Sequence, residues 1–222
     1  MDYLAMLKTS NALWTKYSSY QKIEDADDVI IMPAANAKQI SYNIADYYEK
    51  LVIDALEIGL YAISEGYESR TLDLIYAFTK KYGLLNLADN EEITKDYGES
   101  ASDLSDFFKN LYMHFTASYY YNKTEESQMK DIYESKISSL GASGISLSLD
   151  VLDTPVLVWN IVSLYDFLVF VYSLYITNTE EPLRICKHCG MPFIAKSSKN
   201  EFCSPQCRNQ FNVYKSRAKY EK

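Results

Sequence analysis

The spacing of apolar residues predicts several amphipathic helices. Between residues 38 and 64, apolar positions recur at intervals of three and four, which places them on one helix face. These positions are Ile40, Ile44, Tyr47, Leu51 and Ala55. A second helix is predicted from Ser69 to Tyr82, with Gly83 placed to end it in the left-handed conformation.

The same periodicity predicts two helices further along the chain. A long one covers residues 103–122, where Leu104, Phe107, Leu111 and Phe115 repeat the pattern, and a shorter one covers residues 125–137. The polar stretch 88–102 that precedes them is predicted to be a loop.

Two segments follow the period of a strand instead. Residues 29–32 are short and β-branched, and Ile145, Leu147 and Leu149 alternate with serines. The two could pair as a minor sheet. The predicted fold is therefore mainly α: a helical domain over residues 1–180, which could include this minor β-hairpin, followed by a small module over residues 181–222.

The most apolar segment, residues 156–176, has the length of a membrane span. Asp166 lies at its centre, where a carboxylate costs several kcal/mol in lipid. Its flanks also lack the basic residues that anchor the cytoplasmic ends of spans. We therefore interpret the segment as a central buried helix of a soluble bundle.

Composition is that of an ordinary globular protein, with 48% hydrophobic and 23% charged residues among 222, and we assign the 21 tyrosines to packing. The formal charge of −8 is unevenly distributed. Residues 182–222 carry nine Lys or Arg against two Glu, a formal charge of +7, which leaves −15 on the rest. A basic tail on an acidic body indicates that the two parts meet different partners, or meet each other.

All four cysteines lie in the tail, with the spacing C-x2-C-x13-C-x3-C. Two close pairs separated by a short loop supply the four thiolates of a tetrahedral Zn²⁺ site, so Cys186, Cys189, Cys203 and Cys207 are the predicted ligands. Four protein ligands leave no open position, which favours a structural ion. Disulfides fit poorly with an intracellular protein. His188 could replace a thiolate, but we expect it to be exposed or beside the site.

Local signals suggest how the tail would fold around the ion. Residues 192–195 and 201–202 are predicted to form a hairpin between the cysteine pairs. Ser204-Pro205 is typical of a helix start, which puts Cys207 in the first helical turn. A zinc knuckle, a hairpin and a helix that donates the last ligand are the parts of a treble-clef finger.

The tail resembles the C-terminal zinc finger of bacterial proteins with a CxxCGxxF…(Y/F)CSxxCRxxxxxYxxR pattern, which are related to the CGNR zinc-finger family. The matching positions are Cys186, Cys189, Gly190, Phe193, Phe202, Cys203, Ser204, Cys207, Asn209 and Arg217. The name-giving Cys-Gly-Asn-Arg is here Cys-Arg-Asn-Gln, at residues 207–210. The resemblance implies a regulator of transcription, in which an N-terminal ligand-sensing domain precedes the finger.

The last helix predicts a surface for nucleic acid. Arg208, Asn212, Lys215 and Lys219 fall on one stripe, and Arg217 widens it, which suits contact with phosphate and favours DNA as the partner. A neighbouring stripe of Cys207, Phe211, Tyr214 and Ala218 is predicted to face the metal. Alternatively, the cations offset the thiolates or dock on the acidic body, and the finger is a zinc-stabilised protein-interaction adaptor.

Four further expectations concern the whole chain. We expect no enzymatic activity, because the sequence lacks a Gly-rich phosphate loop, HExxH and G-x-S-x-G, and His114 outside the tail is predicted to be a structural helix residue. The first residues lack the features of a secretory signal, so we expect a cytoplasmic protein. One finger makes few phosphate contacts, so a homodimer could be needed. The helical domain could bind a small molecule.

Overall fold

The computed structural model describes residues 6–7, 11–26, 28–67, 69–88, 93–121, 123–137, 140–141, 143–151, 155–180, 182–197 and 199–220. The strands are β1 (Asn11–Tyr17), β2 (Tyr20–Asp25), β3 (Asp28–Pro33), β4 (Gln39–Asn43), β5 (Glu99–Ser100), β6 (Ile145–Val151), β7 (Pro155–Ile161), β8 (Leu183–Ile185) and β9 (Pro192–Ile194). The α-helices are α1 (Tyr48–Ser64), α2 (Ser69–Tyr82), α3 (Ala101–Tyr121), α4 (Ser127–Ile137), α5 (Leu164–Thr177) and α6 (Pro205–Tyr220).

The prediction of a mainly α fold is wrong, because the body combines helices with two sheets. A four-stranded mixed sheet has the order β4-β1-β7-β6, in which β1 runs parallel to β7. A second sheet has the order β2-β3-β5, and the tail contributes the two-stranded sheet β8-β9. Much of the difference arises in residues 11–43, which contain four strands where one was predicted.

The helix predicted over residues 38–64 begins later than the apolar spacing indicates. Strand β4 takes up its first residues and pairs with β1, and a 3-10 turn at Ile44–Tyr47 leads into α1. Asn43 fixes this transition, because its Oδ1 accepts hydrogen bonds from Ala12 N (2.8 Å) and Ala45 N (3.3 Å). A capping side chain that also ties two segments together stops the helix from extending backwards.

The helix predicted over residues 156–176 is also shorter than expected, since its first part is strand β7. Helix α5 starts after Ser163, whose Oγ accepts from Asp166 N (2.9 Å) and donates to Asp166 Oδ2 (2.6 Å). Asp166 is buried and also accepts from Ser143 N, so backbone and serine donors satisfy it. Among the described residues, no helix is both long and apolar enough to cross a membrane.

Several local predictions are confirmed. Helix α2 has the predicted bounds, Gly83 has φ of 101°, and α3 covers all but the last residue of the predicted segment. Residues 29–32 and 145–149 are strands, but they do not pair with each other. Strand β3 pairs with β2 and β5, whereas β6 pairs with β7.

One large hydrophobic core lies between α1, α3 and α5. Its fully buried side chains include Leu51, Leu56, Phe108, Phe115, Phe167 and Tyr172. The tail is attached to it, because Leu183 belongs to this core, Ile185 and Ile194 pack against it, and β9 contacts α1. The position of the cysteine site relative to the body is therefore set by strands β8 and β9. The division into domains at residue 180 stays a prediction.

Candidate metal centre

The first cysteine pair lies in the turn between β8 and β9. Gly190 N donates to Cys186 O and Cys186 N donates to Met191 O, both at 2.9 Å, which closes the turn into a knuckle. Gly190 has φ of 74°, a conformation that favours glycine. The hairpin predicted between the two cysteine pairs is therefore wrong: β9 pairs with β8 rather than with residues 201–202, and the hairpin encloses the first pair.

The second pair is brought to the knuckle by backbone bonds and by helix α6. Lys187 N donates to Glu201 O (3.0 Å), and Cys203 N donates to Cys186 Sγ (3.4 Å). Ser204 Oγ accepts from Cys207 N (3.1 Å), so this serine caps α6 as predicted. Cys207 then points from the first helical turn.

The four sulfur atoms form a compact group. All of them lie within 4.8 Å of one another, with Cys189 Sγ 3.7 Å from Cys203 Sγ and Cys203 Sγ 3.4 Å from Cys207 Sγ. None is in a disulfide. A Zn–S bond of about 2.3 Å places the sulfurs of a regular tetrahedron about 3.8 Å apart. The cluster therefore has the donor set and the spacing to hold a metal ion.

The surroundings affect the four thiols unequally. Burial raises the pKa of Cys186, but the N–H groups of Cys189, Cys203 and His188 outweigh it and bring the pKa down to about 6. Burial and the neighbouring thiols raise the pKa of Cys203 well above its usual range, and burial also raises that of Cys189. Without a cation these surroundings favour a thiolate at Cys186, and a bound metal ion would stabilise Cys189 and Cys203 as thiolates.

The apolar cluster around the cysteines is small. It comprises the buried Cys186, Phe193 and Ala195, against which Phe202 and Cys207 pack. The cysteines themselves therefore have little apolar packing around them, and strands β8 and β9 supply the contacts with the body, so a metal ion would be the main link between the two cysteine pairs. A metal ion bound here would be structural.

Helix α6 projects from this cluster with most of its surface in solvent. Arg208, Asn212, Lys215 and Arg217 are all exposed, whereas the side chain of Lys219 lies outside the described residues. In the described part of the chain, no ion pair involves these three basic residues. The basic stripe therefore faces solvent rather than the acidic body.

The stripe predicted to face the metal is only partly buried. Phe211 is half-buried, and its ring centroid lies 5.2 Å from that of Phe202. Tyr214 is 58% exposed and stacks on His188, with ring centroids 5.7 Å apart. His188 thus lies beside the cysteine cluster and contacts α6, and Ala218 has a side chain outside the described residues.

Outside the tail, the one histidine is part of the body's interior. His114 is buried, and its Nδ1 lies 2.6 Å from the Tyr172 hydroxyl. It borders a cavity of about 440 Å³ between α3, α4 and α5, together with Phe107, Asn110 and Tyr165. This hydrogen-bonded position fits the structural role that was predicted for His114.

No protein-family model, curated protein or solved structure matches this chain. The resemblance of the tail to CGNR-related fingers therefore stays a prediction. The case for a function depends on the geometry of the cysteine cluster and of helix α6.

Proposed function

We propose that this chain is a zinc-binding protein whose tail is a treble-clef-like finger that binds nucleic acid and thereby regulates transcription. The observation that carries the proposal is the group of four sulfurs within 4.8 Å of one another, held by a knuckle and by the first turn of α6. Because Cys207 belongs to both the cluster and α6, an ion bound to the cluster would also hold the basic stripe of α6 in position.

Zinc is favoured by the ligand set. Four thiolates in a closed tetrahedral arrangement are typical of structural Zn²⁺, and iron is the other metal that tetrahedral sulfur sites take. A redox role for the metal finds no support in the surroundings, whereas a folding role does, because the local apolar cluster is small. We therefore assign Zn²⁺ to Cys186, Cys189, Cys203 and Cys207.

Nucleic acid is favoured as the partner by unpaired positive charge. The tail has a formal charge of +7, so it stays positive after a zinc tetrathiolate contributes −2. Arg208, Lys215 and Arg217 are exposed, and among the described residues no carboxylate pairs with them. Exposed cations on one helix supply the phosphate contacts on which binding to DNA or RNA depends. Because one helix supplies few of them, the proposal includes a homodimer.

An adaptor that binds a protein is the second candidate. Val213 is 48% exposed and Tyr214 is 58% exposed, next to the basic residues of α6. Exposed apolar and aromatic side chains of this kind are enriched in protein interfaces. For this candidate, binding would depend on Val213 and Tyr214 more than on Lys215 and Arg217.

A salt titration separates the two candidates. Binding of the full chain to labelled duplex DNA is measured by fluorescence anisotropy at two salt concentrations, for the wild type and for Lys215→Glu/Arg217→Glu. Binding to nucleic acid must weaken as salt rises, with a slope of about −0.9 per neutralised phosphate, and we expect the double variant to lose more than tenfold in affinity.

The matched control is Lys38→Glu/Lys95→Glu, which makes the same change in net charge at two exposed lysines of the body. We expect the control to bind within about threefold of wild type, since neither lysine belongs to α6. Equal binding by all three proteins, or an equal loss in both variants, would remove α6 from the mechanism. No binding of DNA by the wild type at either salt concentration would leave the adaptor.

A further inference from the structure

A groove beside the metal centre shares Arg208 with the basic stripe of α6 but is otherwise not used by the function proposed above. It lies between the end of β9 and the start of α6 and has a volume of about 330 Å³. Phe193, Ile194 and Phe202 give it an apolar part, and Lys196, Asn200, Ser204 and Arg208 give it a polar and positively charged part. It is thus an apolar depression bordered by polar and positively charged groups.

The two cations come from different elements and are available to a ligand. Lys196 follows β9 and Arg208 lies in the second turn of α6, and both are exposed. The Arg208 guanidinium lies 6.0 Å from the centre of the Phe202 ring, and both residues line the groove. Within the described residues neither cation is in an ion pair.

The groove also borders the sulfur cluster, because Cys203 lines it. A zinc tetrathiolate carries a net charge of −2, which opposes the approach of an anion. Lys196 and Arg208 offset this charge at the groove itself, and the exposed Lys199 adds another cation nearby. A ligand with one or two negative charges and an apolar, planar part therefore fits the groove better than a free anion.

We propose that this groove binds one unstacked nucleotide of a single-stranded nucleic acid, an inference that rests on the proposed function of the tail. The base contacts the half-buried Phe202 ring, and the phosphates on either side of the sugar contact Lys196 and Arg208. The Asn200 amide can bond to a base edge. A base inside a duplex is stacked and paired, so it cannot enter a depression of this kind without being flipped out.

The test compares three oligonucleotides of equal length by fluorescence anisotropy with the full chain. The first is a single strand with bases, the second is an abasic strand with the same number of phosphates, and the third is a duplex. DNA and RNA versions of the first strand show whether the sugar matters. Base–aromatic contact predicts about tenfold tighter binding to the strand with bases than to the abasic strand.

The groove is tested directly by Lys196→Ala/Arg208→Ala. Removing two phosphate contacts should lower the salt slope for the single strand by about 1.4 and weaken its binding by about tenfold or more. The control Lys38→Ala/Lys95→Ala removes the same charge from exposed sites of the body and should bind like wild type. Equal zinc content in all proteins shows that the tail is folded in each variant.

The outcomes separate this inference from the function on which it depends. If none of the oligonucleotides binds, the proposed function fails. If duplex, abasic strand and single strand bind equally, the groove inference is wrong. It is also wrong if Lys196→Ala/Arg208→Ala binds the single strand as the wild type does, or loses affinity for single strand and duplex by the same factor, because Arg208 then acts only as part of the α6 stripe.

Discussion

Glu99 is a buried carboxylate that accepts hydrogen bonds from the loop preceding it in the chain. It is 4% exposed, and its Oε2 accepts from Leu85 N (2.7 Å) while its Oε1 accepts from Leu87 N (2.8 Å) and the Tyr97 hydroxyl (3.1 Å). Burial raises the pKa of this carboxyl group, and these donors act in the opposite direction. Because both oxygens accept, the geometry suits the charged form.

We predict that Glu99→Gln destabilises the protein by about 2–4 kcal/mol. The amide NH2 would face a hydrogen-bond donor at either oxygen position, which leaves buried donors unpaired. The measurement is the free energy of unfolding from urea titration, with Glu24→Gln on the exposed part of β2 as the control. A change in Glu99→Gln no larger than that of the control would show that the loop does not depend on the carboxylate.

Single residues also show where sequence is informative. Gly83 ends a helix, Gly190 lies in the knuckle and Ser204 caps a helix. The roles of Gly83 and Ser204 are predictable from the immediate sequence. The burial of Glu99 is not, because it depends on a loop folding over a strand of two residues. The sequence placed Glu99 in a polar loop, and no local pattern contradicts that.

At the scale of elements, α1 and α3 cross at a glycine. A methyl group at Gly59 would overlap the carbonyl oxygen of Phe108 and lie 2.6 Å from Cβ of Tyr112. The absence of a side chain is what allows the two helices to approach so closely. Backbone of a packed helix cannot move aside as the end of a flexible side chain can.

We therefore predict that Gly59→Ala destabilises the protein by about 1–3 kcal/mol, although alanine ordinarily favours a helix over glycine by about 1 kcal/mol. Thermal unfolding followed by circular dichroism would measure the change. Gly141→Ala is the control, because a methyl group there has nothing within 4 Å. Stabilisation by Gly59→Ala, as helix propensity alone predicts, would contradict the close crossing.

Elements defined by local periodicity were predictable, and elements defined by distant partners were not. Helix α2 has a clear apolar face and lies where it was predicted. Strand β7 is apolar except for Asn160, a pattern that fits a strand and a helix equally. It pairs with β1, at Asn11↔Val158 and Ala12↔Trp159. This pairing joins the two ends of the body and makes the segment a strand rather than a helix.

At the scale of the whole molecule, the chain consists of an acidic α and β body and a basic, cysteine-containing tail that contact each other through β8, β9 and α1. The tail was the more predictable part, since the spacing of four cysteines and the Ser204-Pro205 helix start are local signals. The position of the hairpin was not predictable, because β9 pairs with the preceding strand β8 and the first cysteine pair lies in the turn between them.

This organisation supports the proposal that the tail depends on a metal ion. The body has a large core of its own, whereas the cysteine cluster packs against only a few apolar side chains. Cys189 Sγ lies 3.7 Å from Cys203 Sγ, and Cys203 Sγ lies 3.4 Å from Cys207 Sγ, which is close to the spacing of about 3.8 Å in a tetrahedral zinc tetrathiolate. A metal ion held by the four cysteines would fix both the orientation of α6 and the groove beside it.

The metal content of the purified full chain, measured by inductively coupled plasma mass spectrometry, tests this dependence most directly. We predict one zinc ion per chain in the wild type and less than about a tenth of that in Cys203→Ser/Cys207→Ser, while Ser197→Ala, at an exposed serine between the cysteine pairs, keeps the full amount. A wild-type protein without stoichiometric metal, one that contains iron, or zinc retained by the double cysteine variant would contradict it.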